Sequence, residues 1–525
     1  MFGWGKKKAK RDAAPAPAAG SKKLSRKAIP KVNMRSVGSA TGTFEAAESS
    51  RLTASWTNTP MSATQVVERN LMPLVARARE KALNSDHARK FLTLVKTNVA
   101  GPKGILVHPA VKSPNGELDT LANDAITDAW KEWGRRGICD VTGLYTWVQI
   151  QHLAIQTAAR DGEVFIRVLR GRDFGPFGFQ LQLIDPTRVD VTLRQDLTNG
   201  RRIRCGIEFN RFGRPLAYYV RKDFDDYAEG YDLNGAKYDR VPADEMIHLF
   251  VPEMISQPRG FSWMATAMTR MHHLSSYETA AVINARVGAS KMGFFSADPE
   301  FMDEDGDDED EDGIDDLPMD AEPAAFDEIP AGYTFQKFDP MYPSGEFDPF
   351  TKAALRSISS GLLVSYASLS GDLSGANYGS IRQGSLDERD VWELLQTWFI
   401  DWLVCPVYEG FISQAVLMNA IKIGFTPLRP ERVAQYRQAR YRPRGWKWID
   451  PSKDVKAARS QNDSMHRSVS DVIREQGGEP REVFEEISEE RKLMAKYGLQ
   501  PPGQAAPEPD KPEEEDDAQP KTTAS

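Results

Sequence analysis

Cysteine is scarce in this 525-residue chain. The three residues, Cys139, Cys205 and Cys405, stand far apart with no CxxC and no Cys/His spacing. That pattern argues against a disulfide framework and a zinc site, and it suits a reducing compartment. Long apolar runs are missing too. The most apolar region, Val391 to Ile421, is interrupted by Glu393, Asp401, Pro406 and Glu409. It falls short of the roughly 18 uninterrupted apolar residues that a spanning helix needs, so no membrane span is expected. The first 31 residues hold ten Lys or Arg against one Asp, yet no apolar stretch follows to act as a signal-peptide core, so secretion is not expected either.

Catalytic signatures are also lacking. There is no GxxxxGK[ST] phosphate loop and no GxSxG nucleophile setting. Asp308-x-Asp310-x-Asp312-Gly313 begins like a calcium loop, but its twelfth position is Met319 where a bidentate Glu is required, and Pro318 stands beside it. His272 and His273 are adjacent on an expected helix and point to different sides, so they cannot share a metal. His248, inside an apolar strand, reads as a structural imidazole. No catalytic residue, no metal ligand and no cofactor site is expected.

Charge is present but uneven. The net charge is -8, and Glu300 to Glu328 alone holds sixteen Asp or Glu with no Lys or Arg, which leaves +8 on the rest. Like charge at that density cannot pack and reads as a solvated insertion. Residues 1–55, rich in Lys, Ala and Pro, and residues 499–525, rich in Pro, Glu and Asp, read as a basic and an acidic disordered end.

Between the ends, apolar spacing predicts helices over Ser62 to Val99, Leu121 to Gly134 and Tyr145 to Ala159. After Arg160-Asp161-Gly162 the period becomes that of strands: Glu163 to Leu169, Phe179 to Ile184, Arg202 to Phe209, Leu216 to Arg221 and Met246 to Val251. A helix over Ser262 to Met292 follows, then the acidic tract and a strand-like piece, Tyr333 to Phe338. Next come a helix over Phe350 to Leu369, a Gly/Ser-rich loop from Ser370 to Ser385, and a long helix from Leu386 to Ile421 broken at Pro406. A short return over Lys422 to Leu428 precedes polar helices over Pro451 to Gln476 and Pro480 to Tyr497. The fold class is α+β. The stretch Arg440-Tyr-Arg-Pro-Arg-Gly-Trp446-Lys-Trp448 mixes Arg with aromatics, a composition shared by nucleic-acid contacts and subunit interfaces; an interface is the preferred reading.

The order of these elements, with five short stretches, resembles the lambda family of tailed-phage portal proteins. The stretches are Asn84 to Leu92 with Asn98-Val-Ala-Gly101; Arg160-Asp-Gly-Glu-Val-Phe165; Ile184-Asp-Pro-Thr-Arg-Val189; Ile247-His-Leu-Phe250 leading to Gln257-Pro-Arg-Gly260; and Gly361-Leu-Leu-Val-Ser-Tyr366 leading to Leu369 and Asn377-Tyr378-Gly379-Ser380. They span about residues 60 to 500; the acidic insertion and the tail lie outside the resemblance.

The resemblance implies a portal-type fold: an α+β wing over 56–261, a stem helix over 262–292 and a clip over 293–349 holding the insertion 300–328. A second stem helix over 350–369, a tunnel loop over 370–385, a kinked long helix with a return to the wing over 386–450 and a helical crown over 451–498 complete it. It implies a homo-oligomeric ring of about twelve copies, with no enzymatic activity, in the virion at the capsid portal vertex and in the host cytoplasm during assembly. Its partners would be further copies of itself, double-stranded DNA bound without regard to sequence, terminase, the head-tail connector, and the major capsid protein or scaffold. Gly371, Gly375, Asn377, Tyr378, Gly379 and Arg382 would face the DNA, a polar loop that grips few phosphates and so lets the duplex slide. Tyr333, Phe335 and Lys337 would belong to the clip. The apolar Trp392, Leu395, Trp398 and Trp402 suggest burial against neighbouring subunits, with an ordinary intrachain core as the alternative. A connector ring would be a much shorter chain, and a nuclease or packaging ATPase would need carboxylates in a folded site or a phosphate loop.

Overall fold

A computed structural model of the chain describes residues 53–113, 115–222, 238–289, 293–297, 333–337, 347–374, 377–446 and 451–499, with 47, 51 and 345 beside them. The expectations for residues 1–55 and 499–525, apart from these few, and for 300–328 lie outside the described residues.

Polar caps punctuate the first helices. Ser62 opens α1 (Ala63–Asn84) with a capping box, its hydroxyl accepting from Gln65 N while the Gln65 side chain accepts from Ser62 N. Ser85, in extended backbone, ends α1 and caps α2 (Asp86–Val95). The single helix expected over Ser62 to Val99 is therefore two, and Leu83, next to the break, is exposed. A π-helical turn (Lys96–Ala100) closes α2. Strand β1 (Leu106–Pro109), α3 (Thr120–Trp133) and α4 (Trp147–Asp161) follow. Helix α4 opens on a second capping box, Thr146 with Gln149, and stops at Gly162, where φ is 98°.

Eight strands come next: β2 (Glu163–Arg170), β3 (Phe179–Ile184), β4 (Gln195–Asp196), β5 (Arg202–Arg204), β6 (Ile207–Phe209), β7 (Pro215–Arg221), β8 (Tyr238–Pro242) and β9 (Met246–Phe250). They form two antiparallel sheets, β3-β2-β9 and a meander β4-β5-β6-β7-β8. The strand expected over Arg202 to Phe209 is a hairpin, because Cys205 and Gly206 both take positive φ, 52° and 78°, as a tight two-residue turn requires. Central strand β2 is buried on both faces. Val164, Ile166 and Val168 join the main helical core, while Phe165 packs with Ile184, Ile207, Tyr218 and Val241 between the sheets.

Helix α5 (Met268–Ala289) leads to β10 (Gly293–Ala297), which pairs antiparallel with β11 (Tyr333–Lys337), and α6 (Phe347–Gly361) returns. The two helices are antiparallel: Thr266, just ahead of α5, donates from its hydroxyl to Gly361 O at 2.9 Å, and Tyr277 stacks on Phe347 at 5.6 Å between ring centroids. The stem helix expected over Ser262 to Met292 starts later, at Met268, because Ser262 to Ala267 form turns held by backbone bonds such as Ala265 N to Ser262 O. The second one, expected over Phe350 to Leu369, breaks at Leu362 to Ser365, where Leu363 has φ 56°; Ser365 then caps the short α7 (Tyr366–Ser370).

Helix α8 (Tyr378–Phe399) begins eight residues ahead of the expected Leu386, since Asn377 caps it by accepting from Ser380 N at 2.7 Å. The kink expected at Pro406 is a π-helical turn (Ile400–Val404) directly before it, and Pro406 sits in the first turn of α9 (Cys405–Leu417), where its missing N–H costs least. The chain closes with β12 (Lys422–Ile423), β13 (Thr426–Pro427), α10 (Val433–Tyr436) and β14 (Ala439–Arg442), which pairs with β1, then α11 (Pro451–Asp463), α12 (Val469–Glu475) and α13 (Pro480–Lys496). The helix expected over Pro451 to Gln476 is thus two, with Ser468 capping the second. Among the described residues no helix is long and apolar enough to cross a membrane.

Candidate functional site

Three of the stretches that carry the resemblance meet at one buried joint between the two sheets and the start of the α5 segment. Glu163, at the first position of β2, is fully buried and takes Arg259 Nη2 at 2.6 Å and Arg259 Nε at 2.7 and 2.9 Å. Gly260 N donates to the same carboxylate at 3.1 Å. The remaining Arg259 protons go to backbone carbonyls of Val189, Cys205 and Pro186 at 2.9, 2.9 and 3.0 Å. One guanidinium therefore fastens the β2 end, the loop after β3, the β5–β6 turn and the entry to α5 together. Its fork geometry is what lysine lacks.

His248 on β9 faces Phe165 and bonds Glu163 Oε2 through Nε2 at 2.9 Å. Burial would raise the Glu163 pKa, but the charge of Arg259 and the bonds from His248 and Arg259 outweigh it and hold the carboxyl at about 2. An ionised carboxylate only accepts, so Nε2 carries the proton of the shared bond. Burial pushes the His248 pKa down against the pull of Glu163, so the ring stays neutral in the fold. Beside this joint the buried Asp161 takes Arg79 and Arg160, each at 2.7 Å.

The backbones at the joint touch. A side-chain carbon on Gly260 would lie 2.0 Å from Gly162 O, and one on Gly162 would lie 2.4 Å from Phe261 C. The motif glycines are there because only glycine lets these two segments approach.

The expected DNA-facing residues fall on either side of a short connection. Gly371 is the left-handed cap of α7, with φ 73° and open space around it. Asp372 accepts from Ser374 Oγ, Ser374 N and Tyr366 Oη, and these bonds, led by the Ser374 hydroxyl, hold its pKa at about 2. Asn377 caps α8; Tyr378, Gly379 and Arg382 are helical, so the loop expected over 370–385 ends at Asn377. Arg382 reaches Asp454 of α11 at 3.5 Å and is about a third exposed, 37%. Gly375 lies outside the described residues.

Glu388 ties this connection to the long helix. Its carboxylate accepts from Ser365 N at 3.3 Å, Ser368 Oγ at 2.7 Å and Trp392 Nε1 at 3.2 Å. Trp392 is buried within its own chain. Leu395 and Trp398 pack on the edge of the same core, Trp398 edge-on to Trp263 at 6.0 Å. Trp402, in the π turn, touches Phe250 yet stays 40% exposed, which leaves it as the interface candidate of the four.

Tyr333, Phe335 and Lys337 all lie on β11, opposite Ala297, Phe295 and Gly293 of β10. The Arg440 to Trp446 stretch is an internal brace in the single chain. Arg442 pairs with Glu479, Arg444 donates to Thr97 O and Asn98 Oδ1 at 2.6 and 2.9 Å, and Trp446 Nε1 donates to the same Asn98 oxygen at 3.2 Å. Trp448 lies outside the described residues. Sequence reasoning missed the Glu163–Arg259 pair, although a Glu opening a strand and an Arg before a Gly, both in otherwise apolar settings, were visible. Among the described residues no group of three or more His, Cys, Asp or Glu is placed to hold a metal ion.

The α+β body is continued by two antiparallel helices and a two-stranded ribbon, and Val282 and Ile283 of α5 and Phe350 of α6 are more than half exposed. Residues 49–396 match the family described as "Phage portal protein, lambda family". A protein named "Probable portal protein" from Halomonas phage phiHAP-1 is 35% identical over 498 residues, covering 92% of this chain and 93% of that one. "Portal protein B" of Escherichia phage lambda is 25% identical over 227 residues, 41% of each chain. A chain from the virion of a native gene transfer agent particle aligns over 82% of this chain and 94% of its own, at 13% identity and a TM-score of 0.41. The chain belongs to the lambda family of phage portal proteins, proteins of the capsid vertex.

Proposed function

We propose that about twelve copies of this chain close a ring whose channel passes double-stranded DNA into the head during packaging and out during ejection. In this reading α5 and α6 are the stem, and β10 with β11 forms the clip that meets terminase and later the head-tail connector. Residues 370–385 line the tunnel, and α11 to α13 form the crown. The major capsid protein or scaffold borders the wing, assembly takes place in the host cytoplasm, and the role is structural, with no catalysis. Tyr333, Phe335 and Lys337 serve the clip, and Arg382 places one positive charge per copy near the passing duplex.

One observation carries the reading beyond family membership. Met268, Met271 and Leu274 of α5 lie in the core, and further along the helix Ala281 is still buried while the adjacent Val282 and Ile283 are 59% and 55% exposed. Consecutive residues lie about 100° apart around a helix, so Val282 and Ile283 together make a broad apolar surface that the single chain leaves open. A ring, in which every subunit meets a neighbour on each flank, covers them.

Negative-stain electron microscopy with mass photometry tests this. Rings with a central hole and a mass near 700 kDa, about twelve times the 58.7 kDa chain, are expected. A monomer or a compact dimer under assembly-permissive salt would refute it.

A further inference from the structure

A cleft of about 480 Å³ opens between the start of α1, the outer end of the five-stranded sheet and the loop before Arg259. Its wall holds Arg194, Arg202, Arg204 and Arg211 against a single carboxylate, Glu68. Arg202 and Arg204 alternate on β5, so both project from the face opposite the buried Ile203. Arg204 is already used, bonding Asp196 at 2.5 Å and the carbonyls of Ile203 and Gln195. Arg194, Arg202 and Arg211 are exposed and have no ion-pair partner among the described residues. Arg211 lies over the ring of Phe212 at 4.5 Å, and that ring is 78% exposed at the lip of the cleft. This sheet builds internal pairs wherever it needs them, as Arg201 and Arg240 on Glu208 show, so three unpaired guanidinium groups around one hollow are not its ordinary way of treating charge.

We propose that this cleft is a docking site for an Asp/Glu-rich segment of another polypeptide. Guanidinium forks match carboxylates bidentately, and Arg with exposed aromatic rings is the composition of interface anchors. The volume lies in the range of pockets, roughly 300–1,000 Å³, which suits one extended strand of chain. Duplex DNA, whose major groove alone is about 12 Å wide, rests on a surface and does not enter such a hollow. The chemistry is independent of whether the chain closes a ring.

The test uses the full chain, a fluorescein-labelled hexaglutamate peptide, its hexaglutamine counterpart and a labelled short DNA duplex, followed by fluorescence anisotropy. Hexaglutamate is expected to bind, more weakly as salt rises, and hexaglutamine not to bind. The triple variant Arg194→Gln/Arg202→Gln/Arg211→Gln is expected to weaken peptide binding by about tenfold or more, the loss that one good charge-assisted pair represents. Arg202→Gln and Arg211→Gln alone, each expected to weaken it about threefold, serve if the triple variant does not fold. Unchanged peptide affinity in these variants overturns the proposal. So does duplex binding that the triple variant loses while the wild type never binds peptide, which would make the cleft a nucleic-acid contact.

Discussion

Replacing Arg259 with Met removes the positive half of a pair whose partner, Glu163, is fully buried. What remains around the carboxylate is one imidazole N–H and the N–H of Gly260, neither carrying a full charge. Breaking a buried pair from one side costs about 3–5 kcal/mol, because the other charge is left uncompensated. The carbonyls of Val189, Cys205 and Pro186 lose their donor in the same step, so the upper half of that range is expected. At about 2–4 °C per kcal/mol, the scale for 150–250 residues, that is a fall of roughly 8–20 °C in the melting temperature. The assay is a thermal melt of the full chain read by near-ultraviolet circular dichroism. The double variant Glu163→Gln/Arg259→Met gives the reasoning its edge: it removes the stranded charge and should melt higher than Arg259→Met alone. A single variant that melts within about 2 °C of wild type, or a double variant no better than the single, would refute the account of this joint.

Acid should loosen the same joint in two steps of one sign. His248, neutral in the fold with a lowered pKa, takes up a proton in the unfolded chain from pH 6.5 downward, and Glu163, held at about 2, gives stability that is lost as pH falls from 4.5 toward 2. The melting temperature should therefore be flat above neutrality and fall below about pH 6.5; His248→Gln should remove the first step and keep the second. Gly260→Ala and Gly162→Ala place a carbon against backbone at 2.0 and 2.4 Å, and each should cost several kcal/mol (on the order of 3 or more), seen as loss of soluble chain. Gly371→Ala meets open space and should cost only about 1–2 kcal/mol for its left-handed backbone, leaving soluble yield intact. Glu388→Ala strands the donors of Ser365, Ser368 and Trp392 and should speed limited proteolysis around residues 362–374, with a melting loss on the order of 1–3 kcal/mol.

Elements with strong local signals were legible in the sequence. Strand β3 has the bounds that its alternation predicts, and α3 and α4 fall within two residues of theirs, because a capping side chain and a final Gly mark each. At several boundaries that moved, a single polar cap overrode a longer apolar pattern; the Arg202 to Phe209 hairpin and the late start of α5 come instead from backbone turns. Ser85 divides the first helix, Ser365 the second stem segment, and Asn377 draws α8 back into a stretch whose glycines read as a loop. The joint was hidden for another reason. Glu163 and Arg259 stand 96 positions apart, and nothing local to either reveals the other, although both lie in stretches that the resemblance singled out. For Trp392 both an interface and an intrachain core stood open, because helical spacing says that a face is buried and not what buries it.

The long helix carries a π turn, Ile400–Val404, and the helix just ahead of it is bonded to a second π turn, Lys96–Ala100. Gln396, one turn ahead of the Ile400–Val404 π turn, donates from Nε2 to Asn98 O at 2.8 Å and to Arg444 O at 3.1 Å, and Asn98 belongs to the Lys96–Ala100 π turn. Each π turn carries a residue beyond the helical repeat and frees carbonyls that a regular helix would occupy. Here the carbonyls of Thr97 and Asn98 take Arg444 and Gln396, side chains from just beyond β14 and from α8. The bonds from Gln396 and Arg444 hold α8 against the Lys96–Ala100 turn, and displacing it leaves buried donors and acceptors unpaired. Gln396→Leu should therefore leave Asn98 O without that donor in a buried setting and loosen α8 against the Lys96–Ala100 turn, a loss on the order of 1–3 kcal/mol read by thermal melt.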